Sequence, residues 1–332
     1  MALQPRSAGN DALSTNPNKF NYFPSSDINI TTHGSDWYWA VTAVMAASTI
    51  AFLAMSMMVP RERRVFHYIT AAITLTASIA YFTMASNLGY TPIAVEFQRN
   101  SPKVAGFTRE IFYVRYIDWF VTTPLLLLDL LLTAGMPWPT ILYTIFLDEV
   151  MIITGLVGAL VASSYKWGYF VFAMLALMGI AYNVVLVGLA HSRALGSTVN
   201  KTFMICGVWT ISLWFIYPIA WGLSEGGNII APDSEAVFYG ILDILAKPVF
   251  GAMLLLGHRN IDPAILGLHI RDYQTPPTNR SGRPVGSTLG AEKDGVPGHN
   301  NGGVLQGSGS DANATTGVTG THANHPAVGQ TV

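Results

Sequence analysis

Hydrophobic positions in this chain run in long unbroken stretches, and the polar ones collect in the intervals between them. Seven such stretches stand out, at about 37–59, 66–88, 110–133, 138–160, 167–190, 201–223 and 236–257. Each is longer than the ~18 to 20 apolar residues that a helix rising about 1.5 Å per residue needs to cross a ~30 Å hydrocarbon layer. Continuous apolar runs of this length predict helices, because the strands of a membrane β-barrel are shorter and alternate. The expected fold class is therefore an all-α membrane protein, a bundle of seven transmembrane helices occupying residues 37–258.

The flanks read differently. Residues 1–36 are polar, rich in Asn, Ser and Pro, and contain no apolar core of a cleavable signal peptide, so the first span is expected to direct insertion. Residues 259–332 turn to Gly, Ser, Thr, Asn and Pro, a composition that buries too little apolar surface to offset chain entropy, and they predict a disordered tail. Its histidines, His269, His299, His322 and His325, lack metal-ligand spacing.

Composition sharpens the picture. Apolar residues make up 51% of the chain and charged ones 11%, against roughly a quarter charged in soluble domains. Arg61, Arg63 and Arg64 follow span one, Arg193 and Lys201 precede span six, and Arg259 follows span seven. The opposite connections carry Arg99, Lys103, Arg109 and Lys166. This modest excess predicts an outside N-terminus and a cytoplasmic C-terminus. Asn29-Ile30-Thr31 is then a glycosylation sequon on the outer side. The single cysteine, Cys206, falls inside span six and reads as a buried, inert thiol.

The few charges inside the spans carry the chemistry. An ionised group near the bilayer centre costs at least ~2.5 kcal/mol, so such groups face the bundle interior, pair, and mark ion or ligand pathways. Asp243 and Lys247 in span seven are four residues apart and share a face. Alone, the pair fits either a structural ion pair or a lysine that holds a carbonyl cofactor with the aspartate as counterion. Span three adds Arg115, Asp118, Thr122 and Asp129 at steps of three, four and seven, one polar stripe on a greasy helix. With the N-terminus outside, Asp129 lies about 16 Å closer to the cytoplasm than Asp118, and Asp243 sits at the depth of Asp118. Two carboxylates, Arg115 and the lysine cation could then form one compact cluster.

Three motifs now occur in order: RYxDWxxTTPLLLLDL in span three, WxxYPxxWxxSEG in span six (Trp214, Tyr217, Pro218, Trp221, Ser224, Glu225) and LDxxAK in span seven. Together they resemble the microbial rhodopsins over residues 37–257, and within them the fungal proton-pumping branch similar to bacteriorhodopsin. The stretches YKWGYF at 165–170 and LDEVMIITGLVGAL at 147–160 support that placement.

The resemblance implies a bundle of the microbial rhodopsin type with all-trans-retinal bound covalently to Lys247 as a protonated Schiff base. It implies Asp118 as counterion and proton acceptor, Asp243 as second counterion, Arg115 as the outward charge relay, and Asp129 as internal proton donor. Glu225 and Glu235 match an outward proton-release pair. Trp119, Trp214, Tyr217, Pro218, Trp221, Met151 and Gly155 match retinal-lining positions, with Thr122 beside them. Asp148 matches a buried protonated carboxyl near the ring, and Tyr81 and Thr70 match a counterion-side tyrosine and a donor-side threonine. Glu149, about 100° away from Asp148, receives no role. Pro124 and Pro218 would kink the helices around the pocket, and Pro248, which departs from bacteriorhodopsin, removes a backbone donor beside Lys247.

Elementary electrostatics agrees with these roles. A carboxylate beside the Lys247 cation stays ionised and ready to accept a proton, whereas Asp129, set among Leu125–Leu128 and Leu130–Leu132, stays protonated and ready to give one. The expected function is a light-driven outward proton pump, an ion-translocating protein of the plasma membrane rather than an enzyme. Its implied partners are retinal, protons and the lipid bilayer, with no nucleic acid and no metal, and a homo-oligomer is left open. The alternative is a photosensory or slow-cycling fungal rhodopsin with the same pocket, against which Asp129 counts as a donor that sensors often lack. A chloride pump would carry a neutral residue at 118, a sodium pump a different set at 122 and 129, and the motifs of G-protein-coupled receptors are missing.

Overall fold

The computed structural model describes residues 10–16, 26–95 and 104–268. Among the described residues, seven helices are long and apolar enough to cross a membrane. They are α1 Thr32–Met57, α2 Val65–Ala85, α3 Tyr113–Thr133, α4 Trp138–Leu160, α5 Lys166–Ala194, α6 Ser197–Gly226 and α7 Pro232–His258. In hydrocarbon every backbone polar group must find its partner inside the protein, which a helix does within its own segment. Consecutive helices pack side by side, and α7 returns against α1 and closes the ring.

Helix ends depart from the hydrophobic pattern where a cap or a strand decides them. α1 starts before residue 37 because Thr31 caps it, its side chain accepting a hydrogen bond from the His33 N–H at 3.2 Å. Thr31 also donates to Asp233 Oδ2 at 2.5 Å, tying the start of α1 to the start of α7. α3 starts only at Tyr113 because residues before it leave the helix: β1 (Thr91–Ala94) and β2 (Thr108–Ile111) form an antiparallel hairpin in which Ile93 faces Arg109. Ile28 bridges to Arg109 from the other side. Between α3 and α4, Gly135 at φ +62° makes the tight turn that an L side chain would strain.

Three π-helical turns interrupt the spans, at Asn183–Gly188 in α5, Gly222–Gly226 in α6 and Leu245–Val249 in α7. The last contains Lys247 and Pro248. Proline has no N–H to give the helix ladder, and a widened turn accommodates it. The Trp209 indole donates to the Leu245 carbonyl in that turn at 3.0 Å.

The exterior inverts that of a soluble protein. Ile50, Ile79, Leu142, Phe146, Phe172, Leu186, Val208 and Leu256 are exposed around the bundle, a face that suits lipid. The charged residues Arg115, Asp118, Asp129, Asp148, Asp243 and Lys247 of the spans are buried instead. This is an integral membrane protein.

Residues 259–268 are ordered, unlike the tail expected from 259 onward. A short 3₁₀ turn, Pro263–Leu266, is capped by Asp262, and Ile261 and Leu266 are buried against the bundle core. Two apolar side chains with a core to enter outweigh a polar composition. The rest of the predicted tail, from 269, lies outside the described residues.

Candidate functional site

Arg115, Asp118, Thr122 and Asp129 share a face of α3 but serve different partners. Asp118 is 2% exposed, and its Oδ2 accepts from Lys247 Nζ at 2.5 Å. The same ammonium lies 3.1 Å from Asp243 Oδ2. Asp243 also accepts from the Tyr81 hydroxyl at 2.7 Å and the Tyr217 hydroxyl at 2.6 Å. One buried cation thus faces two carboxylates, one of them held by two phenols. Asp118 Oδ1 is buried without a hydrogen-bond partner. Thr122 turns its hydroxyl to the Asp118 backbone carbonyl at 2.8 Å.

Arg115 does not join this group, contrary to the expectation of one compact cluster. Its NH1 donates to Glu235 at 2.7 Å and Glu225 at 3.1 Å, its NH2 to the Tyr38 hydroxyl at 3.0 Å, and its guanidinium lies 4.2 Å from the Tyr239 ring centroid. A second buried cluster forms there. Glu225 accepts from Tyr116 at 3.2 Å, from Tyr239 at 3.0 Å and from Ser224, while Lys166 Nζ donates to its backbone carbonyl at 2.8 Å. Glu235 accepts a further bond from Arg109 NH2 at 2.7 Å, and Arg109 NH1 donates to the Ile230 carbonyl at 2.8 Å. The hairpin supplies Arg109, which is why the span pattern alone did not bring it to this site.

Asp129 stands apart at the other end of α3. It is 0% exposed, packed among leucines, and its Oδ2 accepts from Thr70 Oγ1 at 3.1 Å. Its Oδ1 has no partner. One turn further, Thr133 Oγ1 contacts His258 Nε2 at 3.1 Å.

Between the two ends of α3, Lys247 opens onto a cavity walled by aromatic and aliphatic side chains. Trp119, Met151, Gly155, Trp214, Tyr217, Pro218 and Trp221 line it together with Asp243. Trp119 meets Tyr217 and Tyr239 edge to face, with ring centroids 5.4 Å apart in each pair. Phe170 stacks on Trp221 at 5.2 Å. Tyr81, Thr122 and Asp148 stand behind this wall rather than in it. Asp148 reaches it through Thr123, whose hydroxyl donates to the carboxylate at 2.7 Å.

A family profile described as bacteriorhodopsin-like protein matches residues 32–261. The chain belongs to the microbial rhodopsin family. It is 64% identical over 290 residues to the opsin-like protein carO of Fusarium fujikuroi, covering 86% of this chain and 93% of that one. Among solved structures it resembles the light-driven proton pump LR (Mac) of Leptosphaeria maculans at 39% identity and a TM-score of 0.65, covering 70% of this chain and 100% of that one. The light-driven proton pump of Coccomyxa subellipsoidea is similar at 38% identity and a TM-score of 0.66, over 70% and 99% of the two chains.

Rhodopsins of this family bind retinal, and the residues of this one suit it. The wall is apolar and aromatic, as a polyene requires, and its one amine is Lys247. Asp118 and Asp243 would compensate a cation at that nitrogen.

The sequence reading did not single out Tyr116, Thr123, Phe170 and Tyr239 on the wall, or Tyr38 and Arg109 in the outer cluster. Tyr116, Trp119 and Thr123 follow at helical steps of three and four, a signal that was available. Tyr38, Arg109 and Tyr239 come from segments whose faces only packing reveals.

Proposed function

We propose that this rhodopsin is a light-driven outward proton pump of the plasma membrane that holds all-trans-retinal covalently on Lys247. The observation that carries the reading is the pairing on one helix of two carboxylates in opposite surroundings. Asp118 touches the lysine nitrogen, and Asp129 sits three turns away among leucines with one hydroxyl partner. Likeness to two solved light-driven proton pumps supports it.

Bound there, retinal would supply light absorption and an isomerisation that lowers the hold of the Lys247 nitrogen on its proton. The residues do the rest. Asp118 Oδ2, already within hydrogen-bond reach of that nitrogen, accepts its proton on the outer side. Asp243, fixed by Tyr81 and Tyr217, keeps a negative charge in place while Asp118 is neutral. Asp129, protonated at rest in its apolar setting, returns a proton from the inner side. Arg115 links the first event to Glu225 and Glu235, the proposed release pair. The N-terminus outside and the C-terminus inside set the direction as outward.

The test is illumination of cells or vesicles that express the chain with added all-trans-retinal. The medium should acidify on the outer side, an uncoupler should abolish the signal, and Asp118→Asn should abolish it while shifting the visible band to longer wavelength. Outward acidification that persists in Asp118→Asn overturns the acceptor assignment, and no acidification from the wild type overturns the pump.

A further inference from the structure

The hairpin brings a third carboxyl to the outer cluster. Glu110 lies on β2, 1% exposed, next to Arg109. Its Oε2 accepts from the Ile30 backbone N–H at 3.0 Å, and its Oε1 is buried with no hydrogen-bond partner among the described residues. Its own N–H donates to the Ile28 carbonyl at 2.9 Å, so the strand holds it in place.

The donor inventory separates the three carboxyls. Glu235 accepts from two guanidinium groups, and Glu225 accepts from Arg115 and three hydroxyls. Both are surrounded by donors. Glu110 has one amide donor and nothing on its second oxygen, and an ionised carboxylate left that way in a buried site is costly. Of the charged groups around it, Arg109 on its own strand favours the ionised form, while Glu235 and Asp233 at the start of α7 oppose it. The other titratable groups facing it are Tyr38 of α1 and Tyr90, just before β1.

We propose that Glu110 is the carboxyl that stores the proton behind the Glu225–Glu235 release pair, so that its proton is the one that reaches the outer medium when Asp118 becomes protonated. The inference rests on the outward pumping proposed above. One turn of α3 separates Arg115 from Asp118. When Asp118 takes a proton, a negative charge near Arg115 disappears, and the cluster then favours an additional anion, which reaches Glu110 through Glu235, shared by Arg115 and Arg109, and through Arg109 beside it. The proton leaves Glu110 as a carboxylate and is restored later when Asp118 gives its own proton back to the cluster. Burial pushes the Glu110 carboxyl up to about 7, so it is loaded in mildly acid medium and empty in alkaline medium.

The experiment uses the full chain reconstituted with all-trans-retinal. A flash starts one cycle, a soluble pH dye times proton appearance, and the infrared carboxyl band of Asp118 times its protonation. At pH 6 the wild type should release its proton promptly with Asp118 protonation, and Glu110→Gln should release it only at the end of the cycle, with colour and Asp118 protonation unchanged. A merely structural Glu110 would lower thermal stability without moving release timing. The wild type supplies a second readout that needs no variant: the prompt fraction should fall as pH rises, half lost near pH 7. Prompt release from Glu110→Gln at pH 6 overturns the proposal, as does a wild-type prompt fraction that stays constant from pH 5 to 9. If the variant fails to fold, the wild-type titration decides. A wild type that pumps but always releases late overturns this inference alone, whereas one that never acidifies the medium overturns the pump as well.

Discussion

A lysine that is 1% exposed keeps its charge in a bilayer only because two carboxylates stand within about 3 Å of it. Lys247 is the one amine of the cavity, so Lys247→Ala should leave a protein that develops no visible absorption band with all-trans-retinal, measured by absorbance after reconstitution. A band in that variant that survives acid trapping would move the attachment elsewhere. Asp129 makes a different forecast. Its surroundings are leucines, the Thr70 hydroxyl and the nearby Cys206 thiol, and it is neither bonded to Lys247 nor part of the cavity wall. Asp129→Asn should therefore leave the resting colour unchanged and slow reprotonation of the Lys247 nitrogen by at least about tenfold, as expected for loss of general acid catalysis worth 10²–10⁴-fold. The slowed step should depend on bulk pH and recover with azide. A wild-type rate in flash spectroscopy would leave Asp129 as a structural acid and favour the sensory reading.

At the scale of elements, the β1–β2 hairpin is the part that joins otherwise separate pieces. Through Arg109 and Glu110 it reaches α7 and the segment ahead of α1, and Glu235 is the shared acceptor of Arg109 and Arg115. Glu235→Gln leaves two buried guanidinium groups short of a counter-charge, and breaking a buried ion pair from one side costs about 3–5 kcal/mol. The thermal midpoint should drop, and amide exchange should speed up in the hairpin before the helices. Unchanged exchange at Thr108–Ile111 would mean that strand pairing alone secures it. The π-helical turn at Leu245–Val249 is the other decisive element, since Pro248 shapes the backbone that carries Lys247 and Trp209 steadies it from α6.

For the whole molecule, Glu110 links protonation to stability. Its carboxyl sits near 7 in the fold against an ordinary value of 4.5. The folded form therefore binds more protons than the unfolded chain between those values, and stability falls as pH rises from about 4.5 to 7. Its contribution is complete below the unfolded value and lost above the folded one. The thermal midpoint of the retinal-free protein should decline over that window, and Glu110→Gln should flatten the decline. A wild-type slope equal to that of the variant would assign the dependence to other groups.

The hydrophobic pattern alone determined the seven helices and the membrane, because hydrocarbon leaves a chain few ways to satisfy its backbone and long apolar runs admit one of them. Helical periodicity likewise put Arg115, Asp118 and Asp129 on one face and Asp243 beside Lys247, since both intervals are local. The three motifs carried the family. What the sequence could not decide were choices between a partner near along the chain and one far from it. Arg115 is one turn from Asp118 yet bonds Glu225 and Glu235, more than a hundred residues away. Short strands such as Thr91–Ala94 and Thr108–Ile111 carry no strong period, and their pairing rests on contacts across an intervening loop. Ile261 and Leu266 lie in a polar stretch and are ordered by a core that exists only after the helices assemble. Tertiary structure decided these because a buried charge or apolar side chain takes the partner that packing brings within reach, and that reach is set by elements distant in sequence.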